Sequence, residues 1–173
     1  MKDISLHILD IVMNSLKAGA TDVSVSIEEN ASDGMFRFAV KDNGRGMNSR
    51  SIKAAMSASY EQNEKNSGLG IPLLLKAVQD AGGSLNITSE KSSGTLVEAV
   101  MKLACITPGD IGSTIAALIV CFPDVRFRFS SLRNNRSFDL DTDSFKHMHG
   151  ITQSELYKQL RCLQQGMNEL QVE

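Results

Sequence analysis

Polar residues near the start of the chain recur at spacings of three and four, which places them on one face of a predicted helix. They are Asp3, His7, Asp10, Asn14 and Lys17. The rest of this helix is apolar, and Gly19 favours the left-handed conformation that ends a helix. The pattern therefore predicts an amphipathic first helix that carries one line of polar side chains.

Beyond this helix, apolar and polar residues alternate with a period of two, which predicts two hairpins. The first hairpin turns at residues 30–34, and the second joins residues 85–89 to residues 95–103. The inward positions of the first hairpin are Val23, Val25, Ile27, Phe36, Phe38 and Val40.

Two helices and a loop separate the hairpins. A short helix is expected at residues 51–56, and a longer one at 71–81, with Pro72 in its first turn and Gly82-Gly83 at its end. Residues 60–67 are polar and have no period, so we expect a mobile loop there. The order of helix, hairpin, loop, helix and hairpin predicts an α/β two-layer sandwich, with helices on one face of a mixed sheet.

A break at residues 107–109 begins a second part of the chain, and a small α+β extension is expected over residues 105–173. Asp110 can cap an apolar helix that runs to Val120. A last helix is predicted to begin with a capping box at Thr152 and Glu155. One stripe of this last helix carries Leu156, Leu160, Leu163, Met167 and Leu170.

Between these two helices, residues 125–129 and 138–141 alternate as strands around Asn134-Asn135. A two-residue turn at these asparagines predicts a hairpin in which Arg128 lies opposite Asp141 and Arg126 lies opposite Asp143.

Composition limits the class of protein. Of the 173 residues, 42% are hydrophobic and 22% are charged, and the net charge of -2 gives no indication of nucleic-acid binding. The sequence offers no signal-peptide pattern and no apolar run of the ~20 residues that span a bilayer, so we expect a cytoplasmic protein without a membrane partner. Its three cysteines are widely spaced and are expected to be buried, reduced thiols.

Three short motifs carry the candidate chemistry. They are Asp10-Ile11-Val12-Met13-Asn14, Asp42-Asn43-Gly44-Arg45-Gly46-Met47 and Ser67-Gly68-Leu69-Gly70. No single motif is specific, because an Asp-Xaa-Gly-Xaa-Gly sequence is common in turns. Their order and regular spacing together indicate an ATP site.

The first motif offers groups for magnesium and for proton transfer. Mg²⁺ prefers oxygen ligands and keeps several waters, so the Asn14 amide oxygen together with phosphate oxygens suffices to bind it. Asp10, one turn earlier, can orient or deprotonate a nucleophile. Lys17, one turn later, can reach a phosphate or remain a solvated lysine. His7 can steady Asp10, but a structural role is favoured.

The second and third motifs suit the base and the phosphates. The Asp42 carboxylate can accept a hydrogen bond from the exocyclic amine of adenine, and Gly44 and Gly46 allow the backbone to pass close to the base and sugar. The third motif places backbone N–H groups at a helix start, where phosphate is favoured. Thr95 can complete the base pocket through its hydroxyl. Met47 and Ser67 are included as members of these motifs.

At these motifs the chain resembles the GHKL ATPases, a superfamily that includes DNA gyrase, the large heat-shock chaperone, mismatch-repair ATPases and sensor histidine kinases. The resemblance covers about residues 3–103 and is strongest to mismatch-repair ATPases at residues 14–21. It implies a Bergerat-type ATP-binding fold, a histidine-kinase-like ATPase domain over residues 1–104, Asn14 as the Mg²⁺ ligand, Asp42 as the reader of adenine, and residues 60–67 as the ATP lid. The whole chain is similar to small stand-alone ATP-binding proteins of anaerobic bacteria.

Departures from that family narrow the expected activity. The position of Asp10 is usually glutamate in members that hydrolyse ATP or phosphorylate serine, so Asp10 keeps the charge but has a shorter reach. Only nine residues precede Asp10, and the context of His7 is not that of a phospho-acceptor. We therefore expect a Mg²⁺-dependent ATPase or a partner-dependent serine-type kinase, and not a complete sensor histidine kinase.

Other sites fit the sequence less well. The chain has neither a Rossmann glycine fingerprint nor a Walker sequence. Residues 139–143 imitate a calcium loop, but Ser144 and Gly150 stand where that loop requires glycine and glutamate. His147 and His149 have no third ligand nearby, so no metal other than magnesium is expected.

Two functional hypotheses remain open. In the first, the chain is an enzyme that hydrolyses ATP or transfers its phosphate. In the second, it is a non-catalytic ATP sensor whose lid or C-terminal extension binds a protein partner. The leucine stripe is favoured as intramolecular core over a homodimer seam. A role in nucleic-acid maintenance is disfavoured.

Overall fold

The computed structural model describes residues 3–57, 70–133 and 136–146. The helices are α1 (Ile4–Lys17), α2 (Ser49–Ser57), α3 (Gly70–Asp80), α4 (Ile111–Cys121) and α5 (Asp143–Lys146), and a 3-10 turn covers Leu103–Cys105. The strands are β1 (Asp22–Asn30), β2 (Met35–Asp42), β3 (Ser84–Glu90), β4 (Gly94–Lys102), β5 (Arg126–Arg133) and β6 (Arg136–Asp141). The elements expected in these residues are present, with ends displaced by a few residues.

The six strands form one mixed sheet in the order β3-β4-β2-β1-β5-β6. Strands β1 and β5 run parallel, and the other neighbouring strands run antiparallel. Helix α1 packs between α3 and α4 in the helical layer. The predicted α/β sandwich with a mixed sheet is confirmed.

One apolar core lies between the helices and the sheet. Strand residues bury alternate side chains, as the period of two predicts: Val23, Val25, Phe36, Phe38 and Val40 are each at most 2% exposed. The same core contains side chains from α4 and β5, including Ile115, Phe127 and Phe129. Residues after 104 therefore extend the sheet and core that the earlier residues begin.

The ends of α1 and α4 are fixed by aspartate caps. The Asp3 carboxylate accepts a hydrogen bond from the Ser5 backbone N–H at 3.0 Å, and the Asp110 carboxylate accepts one from the Ser113 N–H at 2.9 Å. Such caps satisfy backbone donors that a helix leaves unpaired.

In the described ranges, no helix is both long and apolar enough to cross a membrane.

The hairpin of β5 and β6 has the predicted register, with Arg128 opposite Asp141. The ion pairs of the two arginines are not limited to the residues predicted to lie opposite them. Arg126 binds Asp141 through two nitrogens, at 3.1 and 2.6 Å, and reaches Asp143 at 3.2 Å. Arg128 instead binds Asp22 at 2.6 Å, because the parallel neighbour β1 brings that carboxylate alongside. Residues 134–135, at the predicted turn, lie outside the described residues.

The cysteines depart from the expectation of buried thiols. Cys105, in the 3-10 turn, and Cys121, the last residue of α4, are both free and exposed, so that expectation is wrong for these two. Each is the last residue of its element, and the number and spacing of the cysteines, on which the expectation is based, do not determine burial there. Cys162 and the predicted helix with its leucine stripe lie outside the described residues.

Candidate functional site

The Asp42 carboxylate, at the end of β2, joins the second motif to helix α1. It is only 8% exposed. Its Oδ2 atom accepts a 2.6 Å hydrogen bond from the Ser15 hydroxyl. Its Oδ1 atom accepts hydrogen bonds from the backbone N–H groups of Gly44 at 2.8 Å and Thr95 at 3.2 Å. A carboxylate has about four acceptor positions, so this one is oriented by three donors and can still accept a fourth.

Two hydroxyl groups extend this polar cluster along β3 and β4. The Ser89 hydroxyl donates to the Gly94 carbonyl at 2.8 Å and accepts from the Met47 backbone N–H at 2.8 Å. The Thr95 hydroxyl lies 2.9 Å from that of Ser89. With the Ser89 proton directed to Gly94, Thr95 donates to Ser89 and keeps its own lone pairs as acceptors.

Glycines allow the backbone segments around Asp42 to approach one another closely. Gly94 has a φ of +86°, and a Cβ atom there would overlap the carbonyl oxygen of Asp42. Gly46 has a φ of +64°, and its Cβ would overlap the carbonyl oxygen of Glu90. Only glycine meets both the positive φ and the lack of space at these positions. The second motif is therefore held directly against the β3–β4 turn.

The third motif reaches the first at the start of α3. A Cβ atom on Gly70 would lie 3.2 Å from Cβ of Asp10 and 3.3 Å from Nδ2 of Asn14. The start of α3 is thus packed against the polar line of α1, where Asp10 and Asn14 are both half-buried. A larger residue in place of Gly70 would intrude between this helix start and the two side chains.

Two further residues of the predicted polar line, Lys17 and His7, also lie on α1. Lys17, in the last turn of α1, is exposed, whereas His7 is buried at 1% exposure. Ser67, Gly68, Leu69 and the lid at residues 60–67 lie outside the described residues, as do His147 and His149. Among the described residues, no cluster of three or more His, Cys, Asp or Glu side chains is placed to hold a metal ion.

Three residues around Asp42 were not predicted as site residues. Ser15 and Ser89 supply hydroxyl contacts, and the Asn43 side chain bonds to the start of β1. Ser15 directly follows Asn14, yet its spacing from the polar line of α1 places it on the buried side of the helix. A serine among buried helix positions is the one signal that could have indicated it, since a buried hydroxyl requires a partner.

Sequence comparison gives a family match over the part of the chain that contains the candidate site. Residues 2–104 match the family described as histidine kinase-, DNA gyrase B- and HSP90-like ATPases. Sporulation kinase C of Bacillus subtilis is 29% identical over 103 residues, which are 60% of this chain and 23% of that protein. The chain therefore spans less than a quarter of the length of this curated relative.

Solved structures share the fold at low sequence identity. The Aquifex aeolicus MutL ATPase domain complexed with ADP superposes with a TM-score of 0.54 at 18% identity, covering 91% of this chain and 70% of that one. The N-terminal domain of a DNA repair protein gives a TM-score of 0.58 at 11% identity, covering 82% of this chain and 53% of that one. Both cover a larger share of the chain than the family match does, so the likeness of fold continues into the second part.

Proposed function

The chain belongs to the family of histidine kinase-, DNA gyrase B- and HSP90-like ATPases, and on this premise we propose that it binds Mg-ATP between α1, the loop after β2 and the start of α3. Its proposed activity is ATP hydrolysis or transfer of phosphate to a protein. The observation that carries the proposal is the buried Asp42 carboxylate, which three protein donors orient and which can accept one more hydrogen bond.

The chemistry of Asp42 favours adenine. The exocyclic amine of adenine is a donor, whereas guanine presents a carbonyl acceptor at the same position. An ionised carboxylate has no proton to donate and acts only as an acceptor. It therefore pairs with the amine of adenine and repels the carbonyl of guanine. Thr95 adds a hydroxyl oxygen beside Asp42, and Gly44 and Gly46 provide the close backbone approach expected around base and sugar. ADP in the related MutL domain supports an adenine nucleotide as the ligand.

Asn14 and Asp10 suit the phosphate end of the same ligand. Both are half-buried and lie against the start of α3, where backbone N–H groups favour an anion. The Asn14 amide oxygen is a hard oxygen ligand of the kind that Mg²⁺ prefers, and the ion would neutralise phosphate charge when bound. Asp10 would then accept the proton of the attacking water or hydroxyl. Lys17, Met47, Ser67, Gly68 and Leu69 are assigned to nucleotide binding as part of this proposal.

A non-catalytic sensor is the second candidate, and the short side chain of Asp10 favours it. In that case ATP binding changes the affinity for a protein partner, or for a second copy of the chain, without turnover. Similarity to a protein named as a kinase, sporulation kinase C, supports the phosphotransferase alternative, but this chain covers only 23% of that protein. Residues 105–173 are the proposed docking or oligomerisation region.

Calorimetric titration of Mg-ATP, with phosphate release followed on the same samples, tests the proposal. We expect Asp42→Asn to weaken binding about tenfold to hundredfold, because a hydrogen bond to a charged group is lost. Asp33→Asn, at the opposite end of the same hairpin, is the matched control and should bind as wild type does. Wild-type protein that binds no Mg-ATP would contradict the proposal.

Asn14→Ala tests the magnesium assignment separately. We expect this variant to lose turnover and to bind ATP equally well with Mg²⁺ and with EDTA. Retained magnesium-dependent hydrolysis would show that Asn14 is not the ligand. Tight binding without turnover in wild type would exclude a plain ATPase and favour the sensor or a partner-dependent kinase.

A further inference from the structure

The side chain of Asn43 fastens the loop after β2 to the start of β1. Its Oδ1 atom accepts hydrogen bonds from the backbone N–H groups of Thr21 at 2.9 Å and Asp22 at 3.0 Å. Its Nδ2 atom donates to the Thr21 hydroxyl at 3.0 Å. The Asn43 backbone N–H also donates to the Asp22 carbonyl at 3.2 Å. Both ends of the amide are therefore bound to one dipeptide.

This attachment lies between the two groups that would contact the base. Asp42 precedes Asn43, and Gly44 follows it, with the Gly44 N–H bonded to the Asp42 carboxylate. Beyond them, the Arg45 N–H donates to the Ala18 carbonyl at 3.0 Å. Without the Asn43 side chain, the segment from Asp42 to Arg45 would lose three of its hydrogen bonds to residues 18–22.

The dipeptide that Asn43 binds is itself held from the other side by β5. The Arg126 N–H donates to the Thr21 carbonyl at 2.9 Å, and the Arg128 guanidinium binds the Asp22 carboxylate at 2.6 Å. Residues from the second part of the chain thus help to hold Thr21 and Asp22, to which the loop after β2 is bonded. A shift of the loop would require breaking its bonds to a segment that is part of the sheet on both sides.

We propose that Asn43 is a positioning residue that sets the base selectivity of the nucleotide site. This inference rests on the proposed function, since it concerns the same site. Asn43 does not contact the nucleotide. It fixes the positions of Asp42 and Gly44. The remaining acceptor position of the Asp42 carboxylate then meets the amine of adenine and repels the carbonyl of guanine. A loosened loop can move away from guanine, and discrimination falls.

The test measures dissociation constants of Mg-ATP and Mg-GTP by calorimetry for wild type and three variants. In Asn43→Ala we expect the ratio of the GTP constant to the ATP constant to fall by roughly threefold to tenfold, as the loss of several neutral hydrogen bonds implies. Asn43→Asp keeps the Oδ1 acceptor, and the Thr21 hydroxyl can reverse and donate to it, so this variant should retain the wild-type ratio.

Asn86→Ala is the matched control. It removes an exposed hydrogen bond to Glu98, at 2.9 Å, between β3 and β4, and should leave the ratio unchanged. Partial unfolding lowers the number of binding sites equally for both nucleotides, so the ratio separates positioning from a loss of folded protein. If Asn43→Ala does not fold, Asn43→Ser, which keeps a short hydroxyl, takes its place.

The outcomes separate the positioning role of Asn43 from the proposed binding of nucleotide. Wild type that binds ATP, with an unchanged ratio in Asn43→Ala, would overturn the positioning role and leave the proposed function intact. A reduced ratio in Asn43→Asp equal to that in Asn43→Ala would also overturn it. Wild type that binds neither nucleotide would overturn the proposed function, and this inference with it.

Discussion

At the scale of single residues, one hydroxyl group links the first helix to the candidate base site. Ser15 lies on the buried side of α1 and is 4% exposed. Its oxygen is 2.6 Å from Asp42 Oδ2 and 3.2 Å from the carbonyl of Ile11. Because the hydroxyl has one proton and the carboxylate is both nearer and charged, the stronger bond is to Asp42.

We expect Ser15→Ala to lower the free energy of unfolding by about 1.5–3 kcal/mol, since a buried carboxylate loses a charge-assisted hydrogen bond. Affinity for ATP should fall as well, because the carboxylate loses one of its three orienting donors. Urea denaturation and calorimetry on the same preparation provide the two measurements. Ser51→Ala, which removes an exposed bond to Asn48, is the control. A Ser15→Ala protein as stable as that control would show that the contact contributes nothing.

At the scale of elements, Arg126 at the start of β5 links that strand to Asp141 at the end of β6. The hydrogen bond from Arg126 is the main reason why the pKa of Asp141 is lowered below its usual range, and the Asp143 backbone N–H adds to this effect. A carboxyl group whose pKa is lower in the folded state stabilises the fold above its unfolded pKa, about 3.9 for aspartate. That stabilisation is lost as the pH falls through the folded pKa.

Asp141→Asn is therefore expected to be less stable than wild type near neutral pH, by a small amount because the pair is partly exposed. The difference should begin to shrink below about pH 4 and should disappear only when the pH is below the lowered pKa of Asp141 in the folded state, where wild type has also lost the charge. Urea midpoints measured at neutral and at acidic pH test this expectation. Asp139→Asn, on the same strand, is the control and should change neither midpoint. A difference that persists in acid would assign the effect to packing and not to the ion pair.

At the scale of the whole molecule, strands from both parts of the chain share one sheet and one core. Phe127 on β5 is 1% exposed and belongs to the same cluster as Phe36 and Met101. Its strand pairs with β1 over eight residues. Residues before and after 104 should therefore unfold together.

Phe127→Ala should lower the free energy of unfolding by about 3–5 kcal/mol. This destabilisation should affect all strands of the sheet. Hydrogen exchange should show equal increases in the exchange rates of β4 and β5 amides, with a single unfolding transition. Phe138→Ala, at a half-buried position on the edge strand β6, is the milder comparison. Exchange confined to β5 and β6, while β4 stays protected, would instead show that residues 105–173 unfold as a separate unit.

The order of strands shows the limit of what local pattern could predict. Alternation of apolar residues located all six strands, and the turn asparagines gave the register of Arg128 with Asp141. Period alone does not say which strands become neighbours. The parallel pairing of β1 with β5 therefore came only from the structure, and it explains why Arg128 binds Asp22 across the sheet.

The sequence by itself determined the elements and the chemical groups of the candidate site. Helix period, caps and turn residues act over a few positions, and the three motifs contain Asp10, Asn14, Asp42 and the glycines as neighbours in the chain. Tertiary structure alone decided the contacts of Ser15 with Asp42 and of Asn43 with Thr21. These contacts join residues more than twenty positions apart, and they form only because the helix and the two strands pack into one layered core.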